Sequence, residues 1–165
     1  MPAFARFAKL LALLFVALVM LLAAFTNLQD YDANFAYVQH VLSMDTTFRH
    51  PAVMWRAVAS PSLHRIAYLT IIVWELAGGL ACVAGVWRFA SVVRAAQADV
   101  DRAKRVGVVG LTIVFGLWAF AFLVVGSEWF LMWQSPTWNG RDVAMGYAIL
   151  TLLILIWFSA AEERH

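Results

Sequence analysis

Four runs of roughly twenty apolar residues constrain this chain more than any other feature, because each is long enough to cross about 30 Å of hydrocarbon as an α-helix. They cover about 7–25, 66–87, 106–126 and 143–160. In hydrocarbon each backbone N–H and C=O must find a partner within the fold, which selects helices over an open sheet. The composition agrees, with 64% hydrophobic and 13% charged residues and a mean hydropathy of +0.78, outside the range of soluble domains. The expected fold is an all-α membrane protein: a four-helix transmembrane bundle forming a single domain over residues 1–165. The lipid bilayer is its first partner.

Orientation follows from the basic residues. Arg6, Lys9, Arg88, Arg94, Arg102, Lys104, Arg105 and Arg164 fall on one side of the four runs, and Arg49, Arg56, Arg65 and Arg141 on the other. The positive-inside rule then makes both termini and the 88–105 loop cytoplasmic and places segments 26–65 and 127–142 outside, in the periplasm of a bacterial inner membrane. Arg6 and Lys9 ahead of the first run give it the look of a signal peptide. The run is long for that role and no clean A-x-A site follows, so it is expected to stay as an anchor. The net charge of +2 and pI near 9.0 therefore report topology. Without a basic stripe interleaved with aromatics, no nucleic-acid partner is expected.

The outer segments carry their own patterns. In 26–65, Phe35, Val38, Val41 and Leu42 recur at helical spacing, and a second short helix could begin after Pro51. Two short amphipathic helices are thus expected to cap the bundle on the outer side. The 127–140 stretch holds Trp129, Trp133 and Trp138, a composition normal for an interfacial aromatic belt.

One ionisable residue, Glu75, interrupts the second run. A carboxylate at membrane depth costs a few kcal/mol unless it faces protein or water, so it is a candidate functional residue. Gly78, Cys82 and Gly85 form a small-residue strip beside it that invites close approach of another helix, turning Glu75 inward. No run offers a Lys or Arg at its depth. Aligning the midpoints of the second and fourth runs puts Thr151 or Tyr147 opposite Glu75, with the buried carboxyl expected to stay neutral and donate a hydrogen bond.

Other chemistry finds little footing. Three of the four histidines, His40, His50 and His64, lie in or at the edge of the first outer segment. Their spacing matches no compact metal site, so no metal is expected, and no run holds a histidine suited to bis-histidine haem. A single cysteine, Cys82, excludes an intramolecular disulfide or a paired-thiol relay. Ser127 and Glu128 adjoin at the outer edge without a nucleophile elbow, triad order or phosphate loop. The chain is expected not to be an enzyme and to need no cofactor.

The stretch NLQDYDANFAYVQHVLSMDTTF at 27–48, WRA at 55–57, WE at 74–75 and SEWFLMWQSPTWNG at 127–140 together resemble the bacterial family of predicted small integral membrane proteins, DUF2165. The resemblance spans essentially the whole chain. It implies four spans, a retained first helix and a working surface on the outer segments, and it supplies no activity or catalytic residue.

These readings converge on a non-catalytic inner-membrane protein, an accessory or assembly partner of a larger membrane complex or of a homo-oligomer. Its outer surface would comprise His40, Trp55, His64, Glu128, Trp129, Trp133 and Trp138. Two alternatives stay open: a small proton-linked transporter using Glu75, and a quinone- or lipid-binding membrane subunit. A groove at the outer mouth leading toward Glu75 would favour the transporter, and a tightly filled bundle would disfavour it.

Overall fold

The computed structural model describes residues 2–160, with side chains from residue 4 onward. Its long elements are α1 (Pro2–Gln29), α2 (Tyr31–Ser43), α3 (Pro61–Ser91), α4 (Gln97–Gly116) and α5 (Arg141–Ser159). Beyond α4 the same rod continues as a π-helix over Leu117–Trp129. Four helices are long and apolar enough to cross a membrane: Phe4–Gln29, Pro61–Ser91, Gln97–Trp129 and Arg141–Ser159. Among the described residues there is no strand. The chain is an all-helical integral membrane protein.

Local chemistry sets the ends of these helices. Ser60 caps α3 by accepting from the Leu63 N–H, and Pro61 follows at the first helical position, where its missing N–H costs nothing. At the other end of the connection, α2 stops at Met44, which takes a left-handed conformation (φ 53°) and turns its N–H back to the Val41 carbonyl.

Glycines draw α3 and α4 together. A Cβ on Gly85 would lie 2.6 Å from the Gly107 Cα, and one on Gly110 would lie 2.7 Å from the Cys82 backbone nitrogen. The strip Gly78, Cys82 and Gly85 is thus the surface on which α4 lies, a small-residue crossing of the kind membrane helices use. On its other side α3 receives α1, with Gly79 against Met20 and Leu21. By contrast α1 and α5 touch only loosely.

The connections gather at opposite ends. One, the terminal end, holds the start of α1, the α3–α4 turn and the end of α5. Arg6 reaches the carbonyls of Val93 (3.0 Å) and Ala95 (3.1 Å) and the Gln97 side chain (2.7 Å). The ammonium groups of Lys9 and Lys104 both reach the Ala160 carbonyl, at 3.0 and 3.3 Å. Asp99, Asp101 and Arg102 are exposed there, whereas Arg164 lies outside the described residues.

The opposite, loop end carries the two long connections. There α2 is a regular helix packed on α3 through Val38, Tyr68 and Ile72. The second short helix expected after Pro51 is only a 3₁₀ turn, Met54–Arg56. Its continuation is diverted because the Val58 N–H is committed to the Leu42 carbonyl at 2.8 Å, and the chain runs extended from Ala57 toward the α3 cap. The aromatic 127–140 stretch folds over this segment. Buried Ser135 bonds the Thr46 hydroxyl at 2.8 Å and accepts from the Trp138 N–H at 2.8 Å.

Candidate functional site

Glu75 is almost fully buried, with 3% exposure, and points into the bundle. Its partner comes from α1. The Asn27 side-chain amide donates to both carboxylate oxygens, at 3.0 and 2.8 Å. Asn27 is held in turn by the Tyr68 hydroxyl, which donates to its backbone carbonyl at 2.7 Å. Tyr68 sits among Tyr31 and Phe35 of α2, with ring centroids 4.9 and 5.9 Å away. A relay of contacts thus runs from the α2 aromatics through Tyr68 and Asn27 to the carboxylate. Among the described residues no Lys, Arg or His forms an ion pair with Glu75.

The expected pairing with Thr151 or Tyr147 is not what the structure holds: the partner of Glu75 is the Asn27 amide, which donates to it. The cause is unequal helix length. α3 has 31 residues and α5 has 19, so α3 projects further at the loop end and the helix midpoints do not align. Glu75 lies level with the end of α1 and the first turn of α5, where Val143 shares its cavity. Tyr147 and Thr151 lie deeper, around a separate apolar slot, with Tyr147 stacked on Trp118 at 4.5 Å.

The bundle is not filled around the carboxylate. A cavity of about 460 Å³ opens beside it between α1, α2, α3, the π-helix and the start of α5. Asn27, Asn34, Tyr37, Tyr68 and Glu75 supply its polar groups, and Ile71, Trp118 and Phe122 its apolar wall. Its size is in the range of small-molecule sites. A second, apolar cavity of about 210 Å³ adjoins it across Tyr37, Ile71 and Phe122. The π-helix borders both, and such wide turns recur at functional sites. Its closing bond runs from the Phe130 N–H to the Val125 carbonyl at 3.0 Å.

Above this vestibule, Tyr37 donates to the Met132 thioether at 2.8 Å, and burial pushes its phenol up from 10.0 to about 12. Its hydroxyl occupies the space where a side chain at position 140 would stand, which is why Gly140 is needed there.

The other candidates lie apart from Glu75. His40 binds Asp45 at 2.7 Å and stacks on Trp138 with centroids 4.6 Å apart. His64 is buried, and its Nε2 donates to the Val58 carbonyl at 2.7 Å, so this histidine fastens the first turn of α3 to the preceding loop. Trp55 and Trp129 meet edge to face with Arg56 against both rings, at 5.7 and 5.0 Å. Trp133 packs on Phe48, and Glu128 is exposed. These contacts link the two long connections to one another at the loop end. Among the described residues no three His, Cys, Asp or Glu side chains gather as metal ligands would.

Two participants escaped the sequence reading. Asn27 lies just past the first apolar run, where a polar residue looks like the end of a span. Trp118 lies mid-span, away from the interfaces Trp prefers, and that displacement was a usable signal.

Comparison with curated proteins and with solved structures gives no match. Residues 5–160 match the family described as predicted small integral membrane protein (DUF2165), so the chain belongs to that family.

Proposed function

We propose that this is a non-catalytic membrane protein that binds a small ligand in the vestibule at Glu75. The observation that carries the reading is a buried carboxylate whose one hydrogen-bond partner among the described residues is a neutral amide, at the edge of an open cavity of about 460 Å³. A carboxylate at membrane depth is costly to bury, and its default role is to handle a ligand or a proton. Movement of a bound solute coupled to a proton on Glu75, as in a small proton-linked carrier, is the active form of the same reading.

We further infer residence in the cytoplasmic membrane with both termini on the cytoplasmic side. Seven Lys and Arg residues at the terminal end among the described residues, against four at the loop end, support this orientation. Reporter fusions at each terminus and after residue 48 test it.

The binding reading is tested on purified protein. Hydroquinone and small alkylamines are screened for thermal stabilisation of the wild type and of a folded Glu75→Gln variant. Stabilisation lost in the variant supports the vestibule as the site. No shift with any compound, or the same shift in both proteins, removes it.

An accessory or assembly role rests on a different observation. Phe48, Trp55, Trp129 and Trp133 form an exposed aromatic rim at the loop end that another membrane protein or a second copy could cover. Purification in mild detergent followed by mass spectrometry decides it: a stoichiometric companion or a stable oligomer supports that role, and a bare monomer removes it.

A further inference from the structure

At the terminal end the basic side chains divide into two groups. Arg6, Lys9 and Lys104 turn inward and hydrogen-bond carbonyls of the α3–α4 turn and of Ala160. Arg88, Arg94, Arg102 and Arg105 are exposed, and among the described residues their guanidinium groups make no hydrogen bond and no ion pair. The fold does not use them.

Two of these four share a cleft. Arg88, in the last turn of α3, and Arg102, in the second turn of α4, line one opening of about 350 Å³ between the two helices. The close approach of Gly85 to Gly107, about one turn nearer the bilayer centre, holds the two walls together. The Ser91 hydroxyl on the same cleft already donates to the Arg88 carbonyl at 2.8 Å, so the side-chain donors left to a ligand are the two guanidinium groups. Asp99 is the one acid among the described residues that line it. It stands in the first turn of α4, where the helix dipole favours a carboxylate, and one acid against two arginines leaves the cleft net positive.

The depth of the cleft narrows what can fill it. The apolar run of α3 ends at Trp87, directly before Arg88, and Arg102 stands one turn before the run that begins near 106. Both guanidinium groups are therefore level with the lipid head groups of one leaflet. Toward the bilayer centre the same helical faces become apolar: Ala84 lies four residues from Arg88 and Val109 seven from Arg102, and both are exposed. Trp87 beside them is 79% exposed, at the depth an interfacial tryptophan takes. A ligand in the cleft thus meets positive charge at head-group level and a hydrocarbon-facing surface beneath it.

We propose that the cleft between the end of α3 and the start of α4 binds one anionic phospholipid, its phosphodiester held by Arg88 and Arg102 and its acyl chains lying over Ala84 and Val109. A guanidinium is planar and permanently charged, and two of its N–H groups can meet two phosphate oxygens at once. Basic pockets between membrane helices on the cytoplasmic side bind such head groups, and the orientation proposed above puts this cleft on that side. The site lies at the opposite end of the bundle from the vestibule and stands whether or not the vestibule takes a ligand.

The test is native mass spectrometry of the full chain, stripped of lipid in detergent and supplied with phosphatidylglycerol, phosphatidylethanolamine or phosphatidylcholine of the same acyl chains, and separately with inorganic phosphate. One molecule of phosphatidylglycerol should be retained about tenfold more tightly than either zwitterionic lipid, and Arg88→Gln and Arg102→Gln should each weaken it about tenfold, the loss of one charge-assisted contact. Arg105→Gln removes the same charge from a neighbouring depression, which Asp101 and Lys104 also line, and should change retention less than about twofold. The three arginines are exposed and make no bond in the fold, so these variants are expected to fold. If one does not, Asp99→Asn gives a reading of opposite sign, because removing the acid should tighten retention about two- to fivefold.

An equal loss in Arg105→Gln would show that overall charge alone attracts the lipid, and it overturns the proposal. Equal retention of the zwitterionic lipids or weaker retention in Asp99→Asn does the same. Binding of inorganic phosphate as tight as that of the lipid assigns the cleft to a soluble anion and removes the phospholipid.

Discussion

Asn27 holds Glu75 by a single nitrogen, which lies 3.0 Å from one carboxylate oxygen and 2.8 Å from the other. The pair joins α1 to α3 at the level where the vestibule begins. Removing only the amide leaves a buried carboxyl group without its donor, whereas removing both partners leaves an apolar contact. Asn27→Leu is therefore expected to cost about 1–3 kcal/mol of stability, and adding Glu75→Leu to recover most of it. Denaturant unfolding of the two single variants and the double variant, read as a thermodynamic cycle, checks this. Additive effects would mean that the pair is not coupled.

The glycines of the bundle should divide by what surrounds them. A methyl at Gly85 meets the backbone of Gly107, which cannot yield without moving a helix, so Gly85→Ala is expected to destabilise by about 1–3 kcal/mol. Gly146 has nothing within 4 Å of its added Cβ. There Gly146→Ala gains the helix preference of alanine, about 0.5–1 kcal/mol, without a collision. Opposite shifts in thermal midpoint are the expected result.

Tyr37 gives a pH dependence of known sign. Its folded-state value is about 12 against an ordinary 10.0, so the unfolded chain ionises first as the solution becomes alkaline. The stabilisation from the buried neutral phenol is complete below pH 10.0 and is lost as pH rises toward 12. Stability measured over that range should fall less steeply in Tyr37→Phe than in the wild type. Parallel slopes would show that another group governs the alkaline loss.

The fold was legible because lipid asks for long apolar runs and leaves little else to decide. The four spans, the inward turn of Glu75 and the close approach of another helix to Gly78, Cys82 and Gly85 all rest on period and residue size, which a sequence displays directly; that this helix is α4 came from the structure. The partner of Glu75 was not legible in the same way. Pairing it with Thr151 or Tyr147 assumed that helices of equal span align at their midpoints, and the length of α3 defeats that. The widened turns of Leu117–Trp129 left no mark either, since hydropathy is indifferent to whether a carbonyl bonds four or five residues on. Val58 shows the same limit at the loop end, where one long-range backbone bond outweighs a local helical pattern.

Arg6 ties the start of α1 to the α3–α4 turn through three hydrogen bonds, two of them to the backbone carbonyls of Val93 and Ala95. The turn 92–96 has few other anchors in its own backbone, and its carbonyls need donors because they lie past the end of α3. A guanidinium supplies several donors in one fixed plane, whereas an ammonium is a point charge that cannot reproduce the fork. Arg6→Lys and Arg6→Gln are both expected to raise amide hydrogen exchange in residues 92–97, with exchange around Glu75 unchanged. Measured in detergent by mass spectrometry, a rise confined to the turn identifies Arg6 as its clamp. A rise spread through α1 and α3 would mean that it holds the helices themselves together.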